Sequence, residues 1–152
     1  MAHVELSLSE LTTTGLRGHD RGGFDGSLDL WAFAVGVAGE PCLLLDSAGI
    51  VVAASPGSGA LFSINAADAV GRRLVDGVIR LLDFNTVSGE LPGWEVDKIP
   101  PLLAIKSGGL ARGLLRVPGD DGATSTVDAI SVPLRDDGEI VGSLTFFASV
   151  GR

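Results

Sequence analysis

The sequence contains few of the residues from which disulfide scaffolds and zinc sites are built. Its 152 residues include one cysteine, two histidines and no tyrosine. A single cysteine cannot form a disulfide within the chain, which excludes a disulfide scaffold. Neither Cys-x-x-Cys nor His-x-x-x-His spacing occurs, so the sequence predicts no metal site.

Long apolar segments are also missing. The longest apolar stretch near the N-terminus, residues 30–38, is much shorter than the roughly 20 residues that a membrane-spanning helix needs. The segment MAHVELSLSE has no basic region followed by an apolar one, as a signal peptide would have. We therefore expect no membrane partner and a soluble protein in reducing, cytoplasmic surroundings.

Positive charge is scarce. Nineteen acidic residues outnumber eleven basic ones, which gives a net charge of −8. Surfaces that bind nucleic acid are basic, so this excess predicts that nucleic acid is not a partner. Hydrophobic residues make up 45% of the chain, enough for one globular domain with a packed core.

The N-terminal part differs in composition from the rest. Residues 1–27 are rich in threonine and glycine with almost no apolar periodicity, which predicts a flexible arm before a domain over residues 28–152. A helix over about 28–38 should follow, with Ser27 or Asp29 as its N-cap. This helix is apolar on more than one side, so it must pack on its own sheet or on a second copy. Its candidate dimer-interface residues are Leu28, Leu30, Trp31, Phe33, Ala34 and Val37.

The remaining pattern predicts an α+β fold with a five-stranded antiparallel sheet. The five predicted strands cover residues 42–45, 50–54, 110–117, 124–134 and 139–150. Several short helices, the last of them opened by Pro101, lie between the second and third strands. Asp137-Gly138 is a strong hairpin signal, and centring the turn there places Leu134 opposite Val141 and Ile130 opposite Thr145. Both faces of this hairpin carry apolar residues, and the helix around Trp31 is the predicted cover for the second face.

Three segments follow one another in a family's characteristic order. They are the hairpin CLLLDSAGIVVAAS, the helical LFSINAADAVGRRL and the closing hairpin SVPLRDDGEIVGSLTFF. With this order and spacing, residues 40–150 resemble the PAS domain family. The resemblance implies a sensory or protein-interaction domain, often a homodimer built on a helix before the first strand.

The resemblance also bears on cofactors. Haem-binding members commonly use a histidine on the helix before the third strand, and residues 99–107 contain none. Photoactive flavin-binding members carry a cysteine in an Asn-Cys-Arg-Phe context, whereas Cys42 follows Pro41 at the start of a strand. Haem and covalent flavin photochemistry are therefore not expected, and the cofactor stays unassigned.

A few polar side chains allow two interpretations each. Arg112 and Arg116 share one face of a strand, where they either hold an anionic ligand or pair with Asp128. Cys42 is either a redox sensor or, as we expect without a basic neighbour, a small buried residue. Trp94 either walls a pocket or fills the core.

Four functions are compatible with this sequence. The first is a signalling module that acts as a homodimer on an unidentified downstream protein. The second is a receptor for a small ligand between the sheet and the helix at 101–107, with Leu103, Leu115, Ile130 and Leu144 as apolar lining. The third is an interaction scaffold with a filled core and no ligand, which the sequence cannot separate from a receptor because pocket lining and packed core have the same composition. The fourth, an enzyme, lacks support because the predicted domain has no histidine and no second acid or base is suggested beside Asp128.

Overall fold

The computed structural model describes residues 27–82, 89–119 and 121–150, apart from the side chain of Trp94. The predicted arm therefore lies outside the described residues, except for Ser27. The elements are, in chain order, α1 (Ser27–Gly36), β1 (Cys42–Asp46), β2 (Val51–Ala54), α2 (Pro56–Phe62), α3 (Ala66–Ala69), an irregular helical turn (Leu74–Val78), α4 (Gly93–Val96), α5 (Pro100–Ser107), β3 (Ala111–Pro118), β4 (Thr124–Asp136) and β5 (Glu139–Val150).

The five strands form one antiparallel sheet in the order β2-β1-β5-β4-β3. Helices α2 to α5 lie between β2 and β3 in the chain, and α1 precedes β1. The predicted α+β class, the strand number and the placement of the helices are confirmed.

The turns and helix ends form at residues whose side chains or backbone freedom favour them. Asp46 closes the β1–β2 turn, because its Oδ1 accepts hydrogen bonds from the backbone N–H of Ala48 and Ile50 at 2.9 and 3.0 Å. Asn65 caps α3 by accepting from the N–H of Ala67 at 3.0 Å. Gly108 ends α5 in the left-handed conformation, and its N–H donates to the carbonyl of Ala104.

The β4–β5 hairpin turns at the predicted residues but in a different register. Asp137 and Gly138 both have positive φ, 49° and 80°, as a tight hairpin turn requires. Leu134 lies opposite Gly142 rather than Val141, and Ile130 lies opposite Phe146 rather than Thr145. The predicted pairing is wrong because a β-bulge next to the turn leaves Val141 as an extra residue on β5.

Each face of the sheet has its own core. The inner face of the sheet packs against α2, α3 and α5. The largest fully buried side chains of this core include Leu43 and Leu45. Complete burial of one leucine side chain contributes roughly 1.5–3 kcal/mol to stability. The outer face carries Leu44 and Leu144, which are covered by Val35 and Trp31 of α1. The prediction that this helix covers the second face is confirmed.

Candidate functional site

Helix α5 lies directly on the inner face of the sheet. The hydroxyl of Ser143 donates to the carbonyl of Pro101 at 2.8 Å, and Ala104 is completely buried between helix and strands. Beneath the helix, the buried hydroxyls of Ser131 and Thr145 bond to each other at 2.6 Å. Small side chains and direct hydrogen bonds thus hold this part of α5 against β4 and β5.

The predicted pocket residues do not share one face of the sheet. Leu115 points to the inner face, and Leu103 is half-buried on α5. The observed register instead places Ile130 and Leu144 on the outer face, so their assignment to a cavity under α5 is corrected. The correction follows from the period of two in a strand, by which residues in directly opposite positions share a face. The prediction for the Trp94 side chain lies outside the described residues.

The three charged candidates lie on the outer face. The Arg112 guanidinium donates to both carboxylate oxygens of Asp128, at 3.2 and 2.6 Å. Arg116 donates to the hydroxyl of Thr124 at 3.3 Å. This geometry is the surface ion pair weighed in the sequence analysis, with Asp128 as a structural partner.

The ion pair has a defined pH dependence. The hydrogen bonds from Arg112 hold the pKa of Asp128 below its usual range; desolvation opposes this effect, and the positive charge of the guanidinium lowers the pKa by a smaller amount. A lowered folded-state pKa stabilises the fold above the unfolded pKa of the carboxyl, and the contribution is lost as the pH falls through the folded value. Both side chains reach solvent, so the pair contributes little to stability.

An apolar surface surrounds this ion pair. We call Leu114, Phe146, Ala148 and Val150 the outer patch, because they lie on neighbouring outer-face positions of β3 and β5 beside Asp128. Leu114 is 53% exposed, and Phe146 and Val150 are each 46% exposed. The sequence pattern alone does not reveal the outer patch, because its residues come together only in the observed register of β3, β4 and β5.

Helix α1 carries a second exposed apolar surface on the same side of the sheet. Its inward residues include Leu28, Trp31 and Val35, which pack on the sheet of the same chain. Phe33 and Val37 are 65% and 70% exposed, and with Ala34 they form what we call the α1 stripe. The half-buried Leu30 adjoins this stripe at helical spacing. The predicted dimer residues thus divide into two groups, of which Leu28 and Trp31 serve the intramolecular core.

The cysteine is buried in strand β1. Cys42 is 1% exposed, and its backbone N–H donates to the hydroxyl of Ser55 at 2.9 Å. Burial raises the pKa of the Cys42 thiol above its ordinary value, a nearby charge on Glu40 raises it further, and a hydrogen bond with Ser55 offsets part of the increase. The protonated, enclosed thiol fits a core residue rather than a redox sensor.

We expect the folded chain to resist a thiol-specific reagent at pH 8 over the time in which the unfolded chain reacts completely. The reason is that the reagent needs an exposed thiolate, which both burial and the raised pKa disfavour. Absorbance of the released thiolate group from a disulfide reagent, followed with and without denaturant, measures this. Equal rates in the two conditions would contradict the buried assignment.

Membrane and metal features are absent from the described part of the chain. No helix there has the length and hydrophobicity needed to cross a bilayer. Among the same residues, no three histidine, cysteine, aspartate or glutamate side chains cluster as a metal site would require.

Comparison with known proteins identifies the architecture. No protein-family profile matches the sequence, and no curated protein matches it. A PAS domain from Colwellia psychrerythraea superposes with a TM-score of 0.57 at 19% identity, covering 82% of this chain and 98% of that one. The PAS domain of Bordetella pertussis BvgS superposes with a TM-score of 0.56 at 14% identity, over 84% and 88% of the two chains.

A third similar protein is Vibrio cholerae VqmA, described as a LuxR-type receptor. Its dimer in the absence of target DNA superposes with a TM-score of 0.55 at 18% identity, covering 83% of this chain and 52% of that one. A structure of VqmA bound to DPO gives a TM-score of 0.57 at 18% identity, over 82% and 58% of the chains. At these identities the likeness concerns the fold alone.

Proposed function

Because this chain has the PAS fold, we propose that it is a sensory or regulatory module of signal transduction that acts through protein–protein contacts as a homodimer. The observation that carries the proposal is the pair of apolar surfaces on one side of the sheet, the α1 stripe and the outer patch. A monomeric protein rarely exposes apolar side chains in such groups, whereas interfaces collect them.

Two further arguments support protein contacts over other partners. The net charge of −8 disfavours nucleic acid, which needs a basic surface. The exposed aromatic residues Phe33 and Phe146 are of a type that is enriched at the centres of protein interfaces.

We also propose a reducing, cytoplasmic location, which the buried, protonated Cys42 thiol fits.

The ligand between sheet and helix is not part of this proposal. Pro101 and Ala104 of α5 are in direct contact with the sheet, and the central positions beneath them are taken by the Ser131–Thr145 hydroxyl pair. We likewise assign no catalytic role, since Arg112 and Asp128 are each other's partners. The module would pass its signal on to a separate downstream protein through α1.

The dimer is tested by Val37→Glu. We expect the wild-type chain to sediment as a dimer, and the variant to have a dissociation constant higher by at least about a hundredfold, because an unpaired carboxylate in an apolar interface costs several kcal/mol. Sedimentation velocity over a concentration series measures the effect.

Val70→Glu is the matched control for this experiment. Val70 is 49% exposed and follows α3 in the helical layer on the inner side of the sheet, so the same change in side chain and charge should leave the dimer intact. A monomeric wild-type chain, or equal dissociation constants for Val37→Glu and Val70→Glu, would overturn the homodimer proposal. Circular dichroism shows whether both variants remain folded.

A further inference from the structure

A surface cleft of about 190 Å³ lies beside α5. Its walls come from the β1–β2 turn, the irregular turn after α3, the end of α4, and α5. It shares no lining residue with the α1 stripe or the outer patch. It is therefore separate from the surfaces assigned to the dimer.

One wall of the cleft is apolar. Leu102 and Ile105 lie one helical turn apart on α5 and are only partly buried, although they pack against the inner core. Val75 also lines the cleft and is 38% exposed. Gly49 of the β1–β2 turn lies close to this wall, since a Cβ added there would be 3.1 Å from Leu102 Cδ2. This wall offers an apolar surface to a ligand rather than being fully covered by the protein itself.

Two cations lie at the same cleft. Arg73 and Lys106 both line it, and neither forms an ion pair within 4.0 Å with any acid of the described chain. Other arginines have partners: Arg80 pairs with Glu90, and Arg112 pairs with Asp128. The positive charge of Lys106 also interacts favourably with the dipole at the C-terminal end of α5, but this interaction does not explain why Arg73 lies at the cleft.

The local charge is opposite to that of the whole molecule. Arg73 and Lys106 outnumber Asp97, the acid among the described lining residues, in a chain whose net charge is −8. An anion is therefore attracted to this cleft and repelled by most of the remaining surface. The volume lies below the 300–1,000 Å³ typical of sites for drug-sized ligands, so a ligand must be small.

We propose that this cleft binds a small organic carboxylate with an apolar body. The carboxylate interacts with Arg73 and Lys106, and the apolar body lies against Val75, Leu102 and Ile105. The ligand would thereby join the turn that follows β1 to helix α5. This binding does not depend on the dimer, so failure of one proposal leaves the other standing.

The test is an NMR titration of the isotope-labelled full chain with octanoate. We expect shift changes at the amides of Gly49, Val75 and Lys106. Octanol, which lacks the charge, and inorganic phosphate, which lacks the apolar body, should each bind at least about tenfold more weakly, since the site uses both features. Equal affinity for octanol or phosphate, changes centred elsewhere, or no changes at all would each overturn the proposal.

Substituting each of the two cations tests whether they bind the carboxylate. Arg73→Gln and Lys106→Gln should each weaken octanoate binding by about tenfold, because a charge-assisted hydrogen bond is lost. Arg80→Gln is the matched control: Arg80 does not line the cleft, and it pairs with Glu90 at the surface. The same loss of affinity in Arg80→Gln as in Arg73→Gln would mean that general charge, and not this cleft, attracts the ligand, and would overturn the proposal.

Discussion

Replacing Gly142 by alanine will destabilise the folded chain by about 3 kcal/mol, because the central strands of the sheet meet too closely there for a side chain. A Cβ at this position would overlap the carbonyl oxygen of Leu45 and lie 3.2 Å from the Cα of Asp46. These are backbone atoms of β1, which is held between β2 and β5 and cannot rotate away as a side chain could. The sheet must separate locally or shift its register to accept the methyl group.

Urea unfolding followed by circular dichroism measures this loss, and Gly36→Ala serves as its control. A Cβ added at Gly36, the last residue of α1, meets nothing within 4 Å. The control should keep or slightly raise stability, since alanine favours a helix by about 1 kcal/mol over glycine. If Gly142→Ala unfolds at the same urea concentration as Gly36→Ala, the close approach of β5 to β1 is contradicted.

The same contact shows why the sequence predicted the last hairpin's turn but not its register. The turn depends on the residue types at the turn alone, because aspartate and glycine tolerate the positive φ that Asp137 and Gly138 adopt. The bulge at Val141 lies beside Gly142, where β5 approaches β1, a strand from the opposite end of the domain. A single-residue offset changes which β4 side chains share a face with those of β5, so Ile130, predicted opposite the inner-facing Thr145, in fact lies opposite Phe146 on the outer face.

Helix α1 illustrates a second limit of sequence patterns. Its apolar residues lie on both sides, which correctly predicted that it covers the outer face of the sheet. The pattern could not tell which side points inward, because Trp31 and Phe33 are equally apolar. Only packing against Leu44 and Leu144 divides them into a buried side and an exposed one.

The cleft beside α5 was beyond sequence analysis altogether. Arg73 and Lys106 are far apart in the chain and belong to no motif, and the packing of the irregular turn near α5 brings them to one cleft. The ion pair of Arg112 and Asp128, by contrast, was one of two stated alternatives, since residues on paired neighbouring strands are natural partners.

Replacing Val35 by aspartate should detach α1 from the sheet. Val35 is 3% exposed and belongs to the core formed with Leu44 and Leu144, so a carboxylate there would be buried without a partner. The helix can avoid that cost by leaving the sheet, but its ten residues are too few to stay helical alone in water. We expect the hydrogen-exchange protection of the α1 amides to fall by about a hundredfold, since an unsatisfied buried charge costs several kcal/mol.

Phe33→Asp is the reference against which this loss must be measured. It places the same charge two residues away on the same helix, but at a side chain that is 65% exposed. Both variants should be monomeric, so any difference in α1 protection reports intramolecular packing and not association. Retained protection in Val35→Asp would contradict the core on the outer face, whereas loss in Val35→Asp alone would show that only the Val35 side of α1 holds the helix on its own sheet. An element that both covers its own sheet and joins two subunits transmits any shift in sheet packing directly to the partner, which is the route we propose for the signal.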